Sequence, residues 1–156
     1  MSENRIVSTE EVVLNAVRRL LTDDVNKLLD GLGIPIPRFE FGNHAGREVA
    51  VPDIMLSKCE RTEKERILFT SAYTVELNIP VDDLRDYDGE LYMFAYSTAI
   101  SRAVRLNPSL GGAVNNAVIT ASEFMEPKKR YCGDNWMALI EMRVTTEGLL
   151  NDGVWA

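Results

Sequence analysis

The chain has 156 residues, of which 46% are hydrophobic and 26% are charged, and its net charge is −7 with a pI near 4.8. This length and composition are typical of one globular domain and exclude a disordered chain. The acidic charge argues against general nucleic-acid binding, which requires Lys and Arg to neutralise phosphates. No apolar run approaches the roughly 20 residues of a membrane span, and the polar start lacks the apolar core of a secretion signal. We therefore expect a single domain over residues 1–156, no membrane partner, and a cytosolic location that keeps both cysteines reduced.

Residues 8–32 are predicted to form one long amphipathic helix. Ser8 and Glu11 have the spacing of a capping box, in which each side chain satisfies the exposed backbone N–H of the other residue. Apolar residues then recur at offsets of three and four, at Val12, Val13, Ala16, Val17, Leu20, Leu21, Val25, Leu28, Leu29 and Leu32. The glycines and prolines between Gly31 and Pro37 end the helix. We expect its apolar stripe to pack on the protein's own sheet.

A long antiparallel hairpin is predicted over residues 49–60 and 67–79, after a loop-like segment over residues 38–47. The second strand alternates strictly, and one of its faces carries Ile67, Phe69, Ser71, Tyr73, Val75, Leu77 and Ile79. Pro52 has no backbone N–H to donate, so the first strand is predicted to lie at a sheet edge or a bulge. The highly charged segment 61–66 is predicted to form the turn.

A second helix is predicted to follow the Asp-rich segment 80–90, in which several Asp residues are candidate caps. Its predicted inner face carries Leu91, Phe94, Ala95, Thr98, Ala99, Arg102, Ala103 and Leu106. The small alanines on that face would let the helix lie close to a sheet or to the first helix. Asn107 and Pro108 end the helix, and Gly111 with Gly112 is predicted to form a flexible turn.

A second hairpin is predicted from residues 114–125 and 135–146, joined by segment 126–134. One face of its last strand carries Trp136, Ala138, Ile140, Met142 and Val144. The tail 147–156 has no clear periodicity. The element order is therefore helix, hairpin, helix, hairpin. The predicted fold class is α+β, with two helices packed on one face of a mostly antiparallel four-stranded sheet, because this arrangement buries both helical stripes most simply.

No catalytic, metal-binding or cofactor-binding motif is present in the sequence. His44 is the only histidine, and no Cys, Asp or Glu lies near it at ligand spacing. Cys132 follows the basic run 128–130, which could make its thiol reactive, but we interpret it as an ordinary loop cysteine and Cys59 as a core or half-buried residue. The acidic cluster of Asp82, Asp83, Asp86 and Asp88 matches only a fragment of the calcium-binding loop pattern. We interpret that cluster as a helix-capping turn, and we expect neither enzyme activity nor a cofactor.

Two segments are candidate protein interfaces. The first is the basic tip of the second hairpin, formed by Lys128, Lys129 and Arg130. This tip is either solvated or in electrostatic contact with an acidic partner, such as another copy of this acidic chain. The second is the apolar tail, with Leu149, Leu150, Val154 and Trp155. Exposed apolar tails are disfavoured unless they dock, and both its own domain and a neighbouring chain remain open as the docking surface.

The stretch from Tyr73 to Ile119 carries a resemblance to a known family. A strand that ends in TVELNIPV leads through an acidic turn to the helix LYMFAYSTAISRAVRLN, and the segment NPSLGG, residues 107–112, precedes a strand that begins VNNAVIT. This layout resembles the tail terminator, or tail-completion, proteins of long-tailed phages and prophages. Such proteins often carry a similar Pro-x-Leu-Gly-Gly segment between a helix and a strand. The first helix and the final strand are compatible with the same layout.

The resemblance implies a structural virion protein that forms a ring, usually of six copies, at the head-proximal end of the tail tube. Such a ring would stop tube polymerisation and join the head. The implied partners are therefore further copies of this chain, the tail-tube protein and the head-connector proteins. The implied location is the bacterial cytoplasm during assembly and then the virion tail. The resemblance implies no catalytic residue, and segment 33–46 and the apolar tail depart from the small members of the family.

Two other functions are compatible with the same patterns. A head–tail neck or minor tail protein would share the layout and differ in its partner. A small-molecule-binding or enzymatic α+β domain would hold a pocket between sheet and helices, lined by Tyr73, Tyr92, Tyr96 and Trp136. These aromatics also suit core or interface packing. A preformed, partly polar pocket with convergent charged groups would favour the ligand-binding alternative.

Overall fold

A computed structural model of the chain describes residues 8–42, 49–63, 68–82, 88–127 and 135–149. The described part contains two helices: α1, which is continuous from Thr9 to Asp30, and α2 (Asp88–Leu106). It also contains six strands: β1 (Arg38–Phe39), β2 (Val49–Ala50), β3 (Asp53–Glu63), β4 (Leu68–Asp82), β5 (Asn116–Met125) and β6 (Asn135–Leu149). The predicted order of helix, hairpin, helix and hairpin is therefore observed, with the short β1 and β2 added before the first hairpin.

Helix α1 consists of three continuous segments: α-helical Thr9–Arg19, a wider π-helical turn at Leu20–Val25, and α-helical Asn26–Asp30. The predicted N-terminal cap is confirmed, because Ser8 Oγ accepts a hydrogen bond from the Glu11 backbone N–H at 3.1 Å. In the π turn, Thr22 Oγ1 donates to the Arg18 carbonyl at 3.1 Å. Such a side-chain bond competes with the backbone ladder and often accompanies a local widening or bend.

The four long strands form an antiparallel sheet in the order β3-β4-β6-β5. The predicted α+β class with a four-stranded antiparallel sheet is thereby confirmed. Strand β3 lies at one edge, as Pro52 predicted, and its pairing with β4 is irregular between Leu56 and Lys58. The predicted strand 49–60 is divided by residues 51 and 52, because β2 pairs in parallel with β1 in a separate small sheet.

One apolar core lies between the helices and one face of the sheet. Strand β4 contributes alternate residues to it, namely Tyr73, Val75, Leu77, Ile79 and Val81. Strand β6 contributes side chains on the same face, namely Ala138, Ile140, Met142 and Val144. The alternation predicted for both strands is confirmed, since successive side chains of a strand point to opposite faces. Trp136, predicted on the same face, is only partly buried at the margin of the core.

The inner face predicted for α2 is wrong. Leu91, Phe94 and Leu106 were expected to face the core, but they are 53%, 43% and 69% exposed. The side chains that enter the core lie on another face, at Met93, Tyr96, Ile100 and Val104. The centres of these two sets of residues are about 170° apart around a helix of 3.6 residues per turn, so the two faces are nearly opposite. Ala99 and Ala103 lie between the two faces and are buried, as predicted.

The NPSLGG segment after α2 forms an anchored loop. Leu110, Gly111 and Gly112 have positive φ angles of 49°, 75° and 87°, a conformation that glycine adopts freely and that costs another residue about 1 kcal/mol. The Leu110 side chain is buried in the core. Asn107 joins the loop to α1, because its Nδ2 donates to Asp24 Oδ2 at 2.9 Å and its Oδ1 accepts from the Gly111 N–H at 2.9 Å. This loop helps to set how α2 is placed against α1.

The segment between α1 and β2 is held by side chains of both helices. Asn26 bonds to both backbone groups of Phe39: its Oδ1 accepts from the N–H at 2.8 Å and its Nδ2 donates to the carbonyl at 2.9 Å. The hydroxyl of Tyr96 on α2 donates to the Pro37 carbonyl at 2.6 Å. The rings of Phe39 and Tyr96 also pack with centroids 4.9 Å apart. These contacts hold the buried face of α2 against α1 and β1.

Candidate interaction surfaces

Most of the interface residues predicted from sequence lie outside the described residues. This holds for Lys128, Lys129, Arg130, Leu150, Val154 and Trp155. Leu149 is the last residue of β6, where its backbone pairs with that of Leu68. The predicted tail 147–156 is corrected accordingly, since its first three residues continue the strand. The interface assignments themselves stay predictions.

Other residues considered for chemistry also lie outside the described part, namely His44, Cys132, Asp83 and Asp86. Asp82 is the last residue of β4, and Asp88 is the first residue of α2. Cys59 is exposed, so its interpretation as a core or half-buried residue is wrong. The reason is that β3 is an edge strand whose residues 57–63 are all exposed, and the core does not extend that far along it.

Three of the four aromatics considered as a pocket lining are engaged in contacts with other parts of the chain. Tyr73 is fully buried, and its hydroxyl donates to Glu10 Oε2 at 2.7 Å. Tyr92 donates to the Pro35 carbonyl at 3.1 Å, and Tyr96 bonds to the neighbouring segment as described above. Neither of the two cavities described below is lined by any of these aromatics. In the described structure Tyr73, Tyr92 and Tyr96 each bond to a distant segment of the chain.

The Tyr73–Glu10 pair connects the first turn of α1 to the middle of β4. Burial, and next the adjacent Glu10 carboxylate, raise the pKa of Tyr73 well above its ordinary value. The hydroxyl is therefore protonated at neutral pH and acts as the donor to the carboxylate. This pair stabilises the attachment of α1 to the sheet.

An apolar groove lies between the C-terminal end of α1 and the outward side of α2. We call it the helical groove; it encloses about 330 Å³ and is lined by Leu28, Leu32, Leu91, Phe94, Ala95, Thr98, Ala99 and Arg102. Apart from Thr98 and Arg102, the described lining is entirely apolar. All six α2 residues in it belong to the face that the sequence predicts to be the inner one. This face of α2 therefore exists, but it lines an open groove and is not packed on the sheet.

The apolar surface continues beyond the groove onto the sheet. The ring of Phe94 packs edge-on against Phe124 of β5, with centroids 5.0 Å apart and an interplanar angle of 79°. Phe124 itself remains 41% exposed, and Leu32 remains 49% exposed. Leu106 lies further along the same side of α2 and is more exposed than either. Contiguous apolar surface of this kind commonly marks an interaction site.

The helical groove has the chemistry of a surface that binds apolar side chains. Its volume lies at the lower end of the range of small-molecule sites, roughly 300–1,000 Å³. Such sites usually add several precisely placed polar groups to an apolar lining. Arg102 is the one charged residue among the described lining residues, so convergent charged groups are not found in the described part of this groove. This composition favours a protein segment over a polar small molecule as the ligand.

A second depression lies on the sheet face opposite the helices. It encloses about 230 Å³ and is lined by Met55, Glu76, Asn78, Ala121, Glu123, Leu139, Ile140 and Glu141. Glu76 and Glu141 are direct register partners on β4 and β6, and like charges placed opposite each other repel. Across the described residues, no group of three or more His, Cys, Asp and Glu side chains is arranged to hold a metal ion. The helical groove is thus mainly apolar, and the depression on the outer face of the sheet is acidic.

Comparisons with known proteins leave the chain without an assigned family. No protein-family model matches it, and no curated protein sequence matches it significantly. Among the described residues, neither helix has the length and hydropathy that crossing a membrane requires.

Proposed function

We propose that this protein is a structural assembly protein of a phage or prophage tail. In this proposal, copies of the chain form a ring that caps the tail tube, stops its polymerisation and presents the surface that joins the head. The observation that carries the self-assembly part is the second apolar face of α2. The phage context is supported by the resemblance of residues 73–119 to tail terminator proteins.

The two apolar faces of α2 favour assembly for a physical reason. One face is buried in the core through Met93, Tyr96 and Ile100. The opposite face keeps Leu91 and Phe94 about half exposed. Apolar side chains that lie side by side on a helix are normally buried against another element. Because the chain's own described residues leave one face uncovered, a second chain is the natural cover.

The sheet offers further surfaces for contacts between copies. Strands β3 and β5 are the terminal strands of the described sheet, and terminal strands present backbone groups that can pair with another chain. The helical groove and these edges are different surfaces. A contact between two different surfaces is heterologous, and repeated heterologous contacts close into a ring when the rotation between copies divides a full circle.

The NPSLGG loop supports the resemblance because its sequence now has a structural explanation. Gly111 and Gly112 occupy positive φ angles, and Leu110 fills the core beneath the loop. The Leu-Gly-Gly pattern is therefore what the connection from α2 to β5 requires in this fold. A similar segment in tail terminators would serve the same connection.

The deciding experiment measures solution mass by light scattering at several protein concentrations, together with negative-stain imaging of large species. We expect closed rings of about six copies, and binding of these rings to purified tail-tube protein. Rings that bind a head-connector protein and not the tube protein would instead identify a neck protein. A strict monomer that binds neither protein at high concentration would overturn the proposal.

A further inference from the structure

We infer that the helical groove of one subunit receives segment 150–156 of a neighbouring copy of the same chain. This inference deepens the proposed self-assembly and rests on it. It names the two surfaces that meet, and it assigns Trp155 as the side chain that anchors the contact.

The groove and the segment match in chemistry. The groove presents aliphatic and aromatic side chains, among them Leu28, Leu91 and Phe94. The segment LNDGVWA offers Leu150, Val154 and Trp155 within seven residues. A Trp that fills an apolar pocket is a typical centre of a protein interface, because it buries a large area with few rotatable bonds. The second depression, on the sheet, is lined by three Glu side chains and does not offer such an apolar lining.

The charges also match. Arg102 lines the groove and is exposed, and no ion pair to it is formed within the described part of the chain. Asp152 lies in the middle of the segment, between Leu150 and Val154. When the apolar side chains occupy the groove, Asp152 comes within reach of Arg102 at its rim. An opposite charge at this position fixes the register and the direction of the bound segment.

Geometry places the Phe94 end of the groove out of reach of segment 150–156 of the same subunit. Trp155 lies six residues beyond Leu149, so its Cα reaches at most about 21 Å from the end of β6. Phe94 contacts Phe124, whose register partner on β6 is Ala138. Ala138 lies eleven residues before Leu149 on the same strand, which corresponds to about 36 Å. Trp155 therefore cannot reach Phe94 of its own chain, so a segment 150–156 that fills this end of the groove comes from another copy.

This contact is suited to a closed ring. Each subunit has one helical groove and one segment 150–156, so every groove is filled when each copy inserts its segment into the next. The contact is heterologous, because the groove and the segment are different surfaces. It also covers Leu91 and Phe94, which the single subunit leaves exposed.

A disulfide experiment tests the inference directly. Native thiols are removed by Cys59→Ser and Cys132→Ser, and two single-cysteine chains of different size are made with Ala95→Cys and Val154→Cys. We expect the mixed, oxidised chains to give a covalent heterodimer on a denaturing gel. The matched control pairs Val154→Cys with Glu123→Cys, which lies on the acidic face of the sheet, and should give none.

The outcomes separate this inference from the proposed function. Rings that form without the Ala95–Val154 cross-link overturn the inference and leave self-assembly intact. A cross-link found only within one chain, in the variant that carries both cysteines, also overturns it. Absence of both rings and cross-link overturns the inference, and it overturns the proposed function as well when the chain also binds neither the tail-tube protein nor a head-connector protein.

A charge swap provides an independent readout. Arg102→Glu and Trp155→Ala should each weaken self-association, the second by about 30-fold or more, as expected for an interface anchor. Combining Arg102→Glu with Asp152→Arg should restore a large part of the association that Arg102→Glu loses. Equal association of all these variants, measured by sedimentation, would overturn the inference.

Discussion

Both faces of α2 carry large apolar side chains, although the outward face also carries polar residues, and the environments of the two faces differ strongly. The inward face, with Met93, Ile100 and Val104, is fully packed between α1 and the sheet. The outward face carries Leu91 and Phe94 and remains about half exposed. Apolar character alone therefore does not tell which side of a helix meets its own core. Leu91 and Phe94 do not belong to the core of the single subunit.

The strongest test of this comparison substitutes one residue on each face. Ile100→Ala should lower the free energy of unfolding by about 3 kcal/mol, because it removes a fully buried side chain and leaves a cavity. Leu106→Ala, at a position that is 69% exposed, should change it by less than about 0.5 kcal/mol. Urea unfolding at low protein concentration measures both values. Similar losses from the two variants would contradict the assignment of the faces.

A second prediction concerns self-association, in which a substitution on the outward face of α2 should have a larger effect than one on the inward face. Phe94→Ser should weaken self-association at least tenfold, because Phe94 lies at the centre of the exposed apolar surface. Its effect on unfolding should stay near 1 kcal/mol, mainly from the lost edge-on contact with Phe124. Ile100→Ala serves as the control, since it should lower stability and leave the association of the folded protein largely unchanged. Light scattering of folded samples distinguishes the two variants.

A third prediction concerns the loop that connects α2 to β5. Gly111→Ala should lower the free energy of unfolding by about 1 kcal/mol, because Gly111 has a φ angle of 75° that a residue with a Cβ adopts only under strain. Gly31 provides a matched control with an ordinary φ angle of −74° and a nearest atom 3.5 Å from an added Cβ. Gly31→Ala should be neutral or slightly stabilising. Equal losses of unfolding free energy at Gly31 and Gly111 would show that the positive φ angle of Gly111 is not the cause.

A fourth prediction, of similar size, concerns the hydrogen bond between Tyr73 and Glu10. Tyr73→Phe removes the hydrogen bond to Glu10 and should lower stability at neutral pH by about 1 kcal/mol. The pKa of Tyr73 is raised on folding, so its contribution is complete below the unfolded pKa of about 10 and is lost as the pH rises above it. The wild type should therefore lose stability above about pH 10 more steeply than Tyr73→Phe. Parallel pH profiles would argue against a buried, protonated Tyr73.

Much of the fold was predictable because its determinants are local. The alternation on β4 and β6 marks one buried face, since the side-chain period of a strand is two. The Ser8 cap and the glycines and prolines after residue 30 bound α1 through short-range geometry. The α+β fold class followed from the order of these helices and strands. The candidate interfaces at Lys128, Lys129, Arg130, Leu150 and Trp155 remain predictions from sequence.

The failures share a different cause, which is packing over long distances along the chain. Cys59 lies in a strand but is exposed because β3 is at the edge of the sheet and the core ends before it. The parallel pairing of β1 with β2 joins two-residue strands that no periodicity can reveal. The helical groove required α1 and α2 to lie side by side, so its residues were visible in the sequence only as separate stripes.

The sequence by itself determined the type and order of the secondary-structure elements, because capping, alternation and turn chemistry act between residues close in the chain. Only the tertiary structure decided which side of α2 enters the core. That choice depends on contacts with distant segments: the Tyr96 bond to Pro37, the Asn107 bond to Asp24 and the fit of Ile100 within the core. Both sides of α2 are apolar, so periodicity could not distinguish them. Packing buried one side and left the other exposed as the helical groove.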